Sequence, residues 1–177
     1  MTEEYLIKFS NVDTKPFEEY INKSKLLEAD ITDRSTKGNS KQWNFDEPKE
    51  LAFMFLPYLK DSVDLIGSKK LGISSAWVVE GNKGSYHRLH SHAISKAGAE
   101  YKHGLACVLY LEVPDSEDRG EFYYLLRKKD VTISGAFQPN KGDLVIMPKS
   151  VYHGVYPQKS DGVRRTLNFD YEEVKLW

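Results

Sequence analysis

Hydrophobic positions change rhythm partway along the chain. Before about residue 72 they recur mainly at helical spacing, and from Gly72 onward they fall in short β-type runs separated by Gly, Pro, Asn and Asp. At the start, Tyr5, Ile7 and Phe9 alternate with Leu6 and Lys8, which predicts a short strand with one buried face. Asp13 or Thr14 can cap a helix, Pro16 suits its first turn, and Phe17, Tyr20 and Ile21 carry its apolar stripe to an end near Leu27. The Ser-, Thr-, Lys-, Gly- and Asn-rich stretch 32–42 has no periodicity and is expected to be a surface loop. A second helix is expected from a cap at Asp46, with Pro48 in its first turn and Leu51, Met54, Phe55, Tyr58 and Leu59 on one face. Pro57 should kink or divide it.

The later runs predict eight strands: Ile73 to Val79, Tyr86 to His92, Leu105 to Val113, Glu121 to Arg127, Val131 to Phe137, Asp143 to Met147, Tyr152 to Tyr156 and Arg164 to Tyr171. Eight strands after two helices suit a mainly β fold, a double-stranded β-helix or jelly roll with the N-terminal helices packed on one outer face. An ordinary β-sandwich is the alternative. One domain is expected over 1–177, with 1–71 as support and 72–177 as the β core.

Composition narrows the class. The 177 residues are 40% hydrophobic and 29% charged with a formal net charge of −1, and the two signs are interspersed. No single-sign surface advertises nucleic acid or an anionic membrane, so a small molecule is the expected partner of a monomer or homodimer. Cys107 is the only cysteine, which excludes an internal disulfide and a cysteine-based zinc site and fits a reducing compartment. The acidic start and the absence of a long apolar run lead to a cytoplasmic expectation.

His90-Ser91-His92 is the most informative tripeptide, because side chains two apart on a strand share a side and can reach one metal ion. Alone, such a pair is more often surface-exposed. His153 strengthens it, since the turn, buried strand and proline stop of Gly142 to Pro148 would deliver a third imidazole from another strand. Arg164 follows eleven residues later and shares a strand face with Thr166, while Leu167 and Phe169 share the other. A guanidinium inside a barrel is costly unless paired, and its planar fork matches a carboxylate, so a dicarboxylate cosubstrate would resolve it. Tyr86 and Arg88 share parity with His90 and could contact that cosubstrate unless a β-bulge reverses the order. By the same parity His87 faces away, and His103 sits in a lid-like loop at 93–104. Trp43, Trp77 and Trp177 read as packing residues.

The segment from Trp77 to Tyr171 resembles the 2-oxoglutarate/Fe(II) dioxygenases, in particular a small bacterial and phage group with a His-x-His metal strand. Tyr86 to His92, Leu109 to Pro114, Gly142 to Pro148 and, most specifically, His153 through Arg164-x-Thr166 to Phe169 carry the resemblance. It implies that His90 and His153 are iron ligands, that Arg164 with help from Thr166 binds the distal carboxylate of 2-oxoglutarate, and that a substrate C–H bond is hydroxylated as the cosubstrate is decarboxylated. The family commonly has Asp or Glu where His92 stands. His92 can be the third ligand, which is the favoured reading; otherwise water or Glu100 takes its place. The rivals are a cupin-like metal protein or an enzyme independent of 2-oxoglutarate, which need the histidines without Arg164, and a non-catalytic binding module on the same barrel.

Overall fold

The computed structural model describes residues 5–32, 34–63, 71–93 and 104–173. Two antiparallel sheets face one another in a jelly roll. The larger contains β1 (Ile7–Phe9), β2 (Leu26–Glu28), β4 (Ser40–Phe45), β5 (Leu71–Gly81), β7 (Gly104–Glu112), β10 (Leu144–Pro148) and β12 (Arg164–Glu173), in the order β1-β10-β7-β12-β5-β4-β2. The smaller contains β3 (Thr36–Lys37), β6 (Tyr86–His90), β8 (Phe122–Lys128), β9 (Val131–Phe137) and β11 (Tyr152–Val155), in the order β3-β6-β11-β8-β9. Helices α1 (Lys15–Lys23) and α2 (Lys49–Val63) precede β5. No helix among the described residues is long and apolar enough to cross a membrane.

Strand β7 explains the layering. Its alternate residues Leu105, Cys107, Leu109 and Leu111 join one hydrophobic cluster with α1 and α2, and Ala106, Val108 and Tyr110 join another with β8, β10 and β11. The large sheet is thus covered by the helices on one face and by the small sheet on the other, which is why β7 reads as a continuous apolar run. Leu51, Phe55 and Leu59 repeat every fourth residue along α2 and are buried. The Phe55 ring stacks on Phe169 of β12 at 3.8 Å between centroids and on Phe17 of α1 at 4.5 Å. Burying an aromatic of this size contributes about 1.5–3 kcal/mol, so this stack fixes the helices against β12.

The expected eight β-core strands are all present with shifted ends, and three short ones, β2, β3 and β4, join them upstream. Helix α1 stops at Lys23 because Ser24 turns extended (φ −86, ψ 148) and donates its Oγ hydrogen to the Tyr20 carbonyl, 2.7 Å away. Leu26 to Glu28 can then pair with Phe45 to Trp43. The supposed loop at 32–42 holds β3 and the start of β4. Asp46 does not cap α2: it pairs with Lys25 at 3.0 Å and the helix begins three residues later, then runs through Pro57 without being divided.

Candidate active site

Between the sheets, where the apolar cluster of β7, β8 and β11 gives out, lies a cavity of about 540 Å³. Strand β12 turns Leu167, Phe169 and Tyr171 to the helices and Arg164, Thr166, Asn168 and Asp170 to the cavity.

Antiparallel pairing of β6 with β11 sets His90 opposite His153. His92 follows just past the end of β6, held by its backbone N–H donating to the Lys149 carbonyl at 2.9 Å. Ring centroids lie 4.4 Å (His90–His153), 5.2 Å (His90–His92) and 5.1 Å (His92–His153) apart. One nitrogen from each ring lies within 4.8 Å of the other two.

The hydrogen bonds fix which nitrogen that is. His90 Nδ1 donates to the Arg88 carbonyl (2.7 Å), His153 Nδ1 to the Val151 carbonyl (3.0 Å) and His92 Nδ1 to Asp170 Oδ1 (2.7 Å). Each acceptor is an oxygen without a proton to give, so every Nδ1 carries a hydrogen and Nε2 is the atom each ring can turn to a metal. Burial, then His92, depresses His90 to a pKa of about 4, and burial, then His90 and His92, holds His153 well below the ordinary histidine range. Both are therefore neutral at pH 7. His90 Nε2 and His92 Nε2 are 3.2 Å apart. With one nitrogen of His153 also within 4.8 Å, the three rings could face one cation. The donor set fits Fe(II), for which imidazole is a suitable ligand.

Arg164 lies at the cavity's inner end, 3% exposed. Its guanidinium donates only to the Arg119 carbonyl and Ser85 Oγ, both at 3.4 Å, and has no carboxylate partner among the described residues. Beside it the buried Tyr110 hydroxyl has no hydrogen-bond partner among the described residues. Burial raises the Tyr110 pKa, so the phenol stays protonated and can donate. A buried cation and an unused donor side by side make a receptor for an anionic oxygen. Gly120, at φ +86, leaves the room: a Cβ there would overlap the Arg164 guanidinium. Thr166 is buried on the same face, with its Oγ1 accepting from Asn168 Nδ2 at 2.9 Å. Arg165 points the other way and makes two hydrogen bonds to Glu80 Oε2, at 3.1 and 2.6 Å.

Two parity expectations fail on one irregularity. The β6–β11 register moves from His153↔His90 to Val155↔His87, so three residues of β6 span two of β11. His87 thereby turns into the cavity, where burial and then the Arg164 charge hold it neutral. Arg88 is exposed, and Tyr86, half-buried opposite Lys37 of β3, is absent from the cavity lining. His103, Glu100, Trp177 and nearly all of the loop at 93–104 lie outside the described residues. Asp170 was legible, as it continues the Arg164, Thr166, Asn168 alternation; Tyr110, Ser85 and Lys149 carried no signal.

Residues 75–170 match a family model described as "Putative 2OG-Fe(II) oxygenase". A comparison with curated proteins gives no significant match. Among solved structures, HygX from Streptomyces hygroscopicus with nickel and 2-oxoglutarate bound superposes with a TM-score of 0.70 at 14% identity, covering 96% of this chain and 83% of its own. The viral collagen prolyl hydroxylase of Paramecium Bursaria Chlorella virus-1, as its 2-oxoglutarate complex, gives 0.68 at 16% identity over 96% and 97%. A Pseudomonas putida prolyl-4-hydroxylase gives 0.65 at 15% identity over 97% and 94%. At such identities these structures establish the shared fold, and the family model spans more than half of the chain. The protein belongs to the 2OG-Fe(II) oxygenase family and is an Fe(II)- and 2-oxoglutarate-dependent oxygenase.

Proposed function

We propose that His90, His92 and His153 hold Fe(II) through their Nε2 atoms and that Arg164 binds the distal carboxylate of 2-oxoglutarate. Together the metal and cosubstrate supply oxidative decarboxylation coupled to hydroxylation of a C–H bond. The chain supplies placement. Three imidazoles oriented by their Nδ1 hydrogens would hold the ion and leave room on it for the cosubstrate. Tyr110 and Ser85 can add hydrogen bonds to the carboxylate on Arg164, and Thr166 lies alongside. Val108, Phe122 and Val155 give that end of the cavity an apolar wall, which excludes water and strengthens the charge pairing. Gln42, Asn44, Ser74 and Trp77 line another part of the cavity and can meet a substrate with hydrogen-bonding groups. The free, buried Cys107 fits a cytoplasmic setting.

The observation that carries this reading is that Arg164, in the same cavity as the histidine trio, has no carboxylate partner among the described residues. A metal barrel independent of 2-oxoglutarate has no need of a buried guanidinium without a carboxylate partner, and metal content separates a binding module without turnover. The test is anaerobic addition of 2-oxoglutarate to the Fe(II)-loaded protein, read by visible absorption. A chelate charge-transfer band is expected in the parent and should be lost in His153→Ala. No band in the parent, or an unchanged band in that variant, overturns the assignment.

A further inference from the structure

We propose that Asp170, clamped by Lys149, is a positioning residue that acts through His92 and gives the neutral three-histidine centre its anionic partner. The inference rests on the reading of His90, His92 and His153 as the metal ligands and extends it outward by one layer.

Three neutral imidazoles bring no negative charge to a dication, whereas the familiar arrangement of two histidines and a carboxylate brings one. Here a carboxylate stands immediately behind the residue that replaces it. Asp170 Oδ1 accepts the His92 Nδ1 hydrogen at 2.7 Å, while Oδ2 is held by Lys149 Nζ at 3.2 Å. Lys149 is 3% exposed and also pairs with Glu172 at 2.7 Å. The same lysine grips His92 through its main chain, because its carbonyl accepts the His92 N–H at 2.9 Å. The main chain of His92 is thus held by Lys149 and its ring by Asp170, which places a hydrogen on Nδ1 and turns Nε2 toward His90.

A purely structural ion pair does not require this division of labour. Glu172 already gives Lys149 an anion, so the ammonium does not depend on Asp170 for neutralisation. The shorter of Asp170's two bonds goes to the imidazole. A carboxylate on the far nitrogen of a metal-bound histidine raises its basicity and fixes its orientation, and removing such a partner commonly weakens metal affinity by about 10- to 100-fold. Asp170 therefore returns through an imidazole part of the charge that a direct carboxylate ligand would bring.

The test uses the full chain with Co(II) as probe, read by its visible spectrum and by competition titration, and the Zn(II)-loaded protein for imidazole NMR. In the Zn(II) protein, His92 is expected to show a slowly exchanging, downfield Nδ1–H. Asp170→Ala should bind Co(II) about 10- to 100-fold more weakly and lose that proton resonance. Asp170→Asn should lose less, because its side-chain carbonyl still accepts from Nδ1–H without supplying charge. His90→Ala should lose Co(II) at this site altogether.

If both Asp170 variants bind Co(II) with the parent's affinity and spectrum while His90→Ala does not, the inference is overturned and the metal site stands. If His90→Ala also binds as the parent does, the metal-site reading falls and takes the inference with it. Should Asp170→Ala fail to fold, as judged by its melting curve, Asp170→Asn and the parent's NMR spectrum decide. A parent His92 protonated at Nε2 in the Zn(II) protein contradicts the inference without any variant.

Discussion

Arg164 offers the sharpest separation of binding from stability. Among the described residues its guanidinium reaches only two neutral oxygens, each at 3.4 Å, so truncation removes little that holds the fold together. It also removes a buried charge that lacks a carboxylate partner among the described residues, which is a cost in the folded state. In the complex, a bidentate pair with the cosubstrate would comprise two charge-assisted hydrogen bonds of about 1.5–3 kcal/mol each. At about 1.4 kcal/mol per tenfold, their sum of about 3–6 kcal/mol corresponds to two to four orders of magnitude in Kd. Arg164→Ala should therefore weaken 2-oxoglutarate binding about 100-fold or more, and Arg164→Lys less, because it keeps the charge but loses the fork. The melting temperature without cosubstrate should stay the same or rise. Arg165→Ala, which breaks contacts to Glu80 and Glu112 on the opposite face, should leave cosubstrate affinity within about threefold, below the 1.4 kcal/mol that a tenfold change represents. Calorimetric titration of the Fe(II) protein under anaerobic conditions measures all three, with retained iron as the internal control. An Arg164→Ala protein that holds iron and binds 2-oxoglutarate as tightly as the parent refutes the reasoning.

Three further outcomes follow from particular contacts. Gly120→Ala combines a Cβ that collides with the guanidinium and a backbone at φ +86, so it should lower stability by about 1–2 kcal/mol and weaken 2-oxoglutarate binding without changing metal affinity; equal binding in titration counts against the pocket geometry. Phe55→Ala removes the ring stacked between Phe17 and Phe169 and should cost about 3–5 kcal/mol, a fall in Tm of about 6–20 °C by calorimetry; a shift of a degree or two would mean that α2 is not anchored there. The metal-free protein should lose stability as pH falls from 6.5 toward about 4, because the unfolded chain takes up a proton that folded His90 refuses, and this single group accounts for up to about 3 kcal/mol. His153 and His87 act in the same direction, and denaturant titrations that show constant stability between pH 7.5 and 5 contradict this.

Legibility in the sequence followed the nature of the surface each strand meets. Runs such as Leu105 to Leu111 and Leu144 to Met147 are buried on both sides by apolar neighbours, so their hydrophobicity announced them. Residues 36–42 escaped because their buried positions are polar: Thr36 and Gln42 are buried yet face the cavity, and the apolar alternation of β4 is confined to Trp43 and Phe45 at its end. Strand β12 was read correctly only because Leu167 and Phe169 supplied an apolar face opposite Arg164 and Thr166. His87 and Tyr86 were exchanged by the bulge in β6, a register feature that depends on the partner strand β11 and leaves no trace in local spacing. The Lys149–Asp170–His92 connection joins residues 21 and 78 positions apart, and only the sheet topology brings them together.

The most direct test of the account is a crystal structure of the protein with Mn(II) and 2-oxoglutarate, recorded with anomalous scattering from the metal. The account predicts one anomalous peak shared by the Nε2 atoms of His90, His92 and His153, with the cosubstrate's distal carboxylate on the Arg164 guanidinium. A peak that leaves out any of the three histidines, or a cosubstrate carboxylate lying away from Arg164, would contradict it.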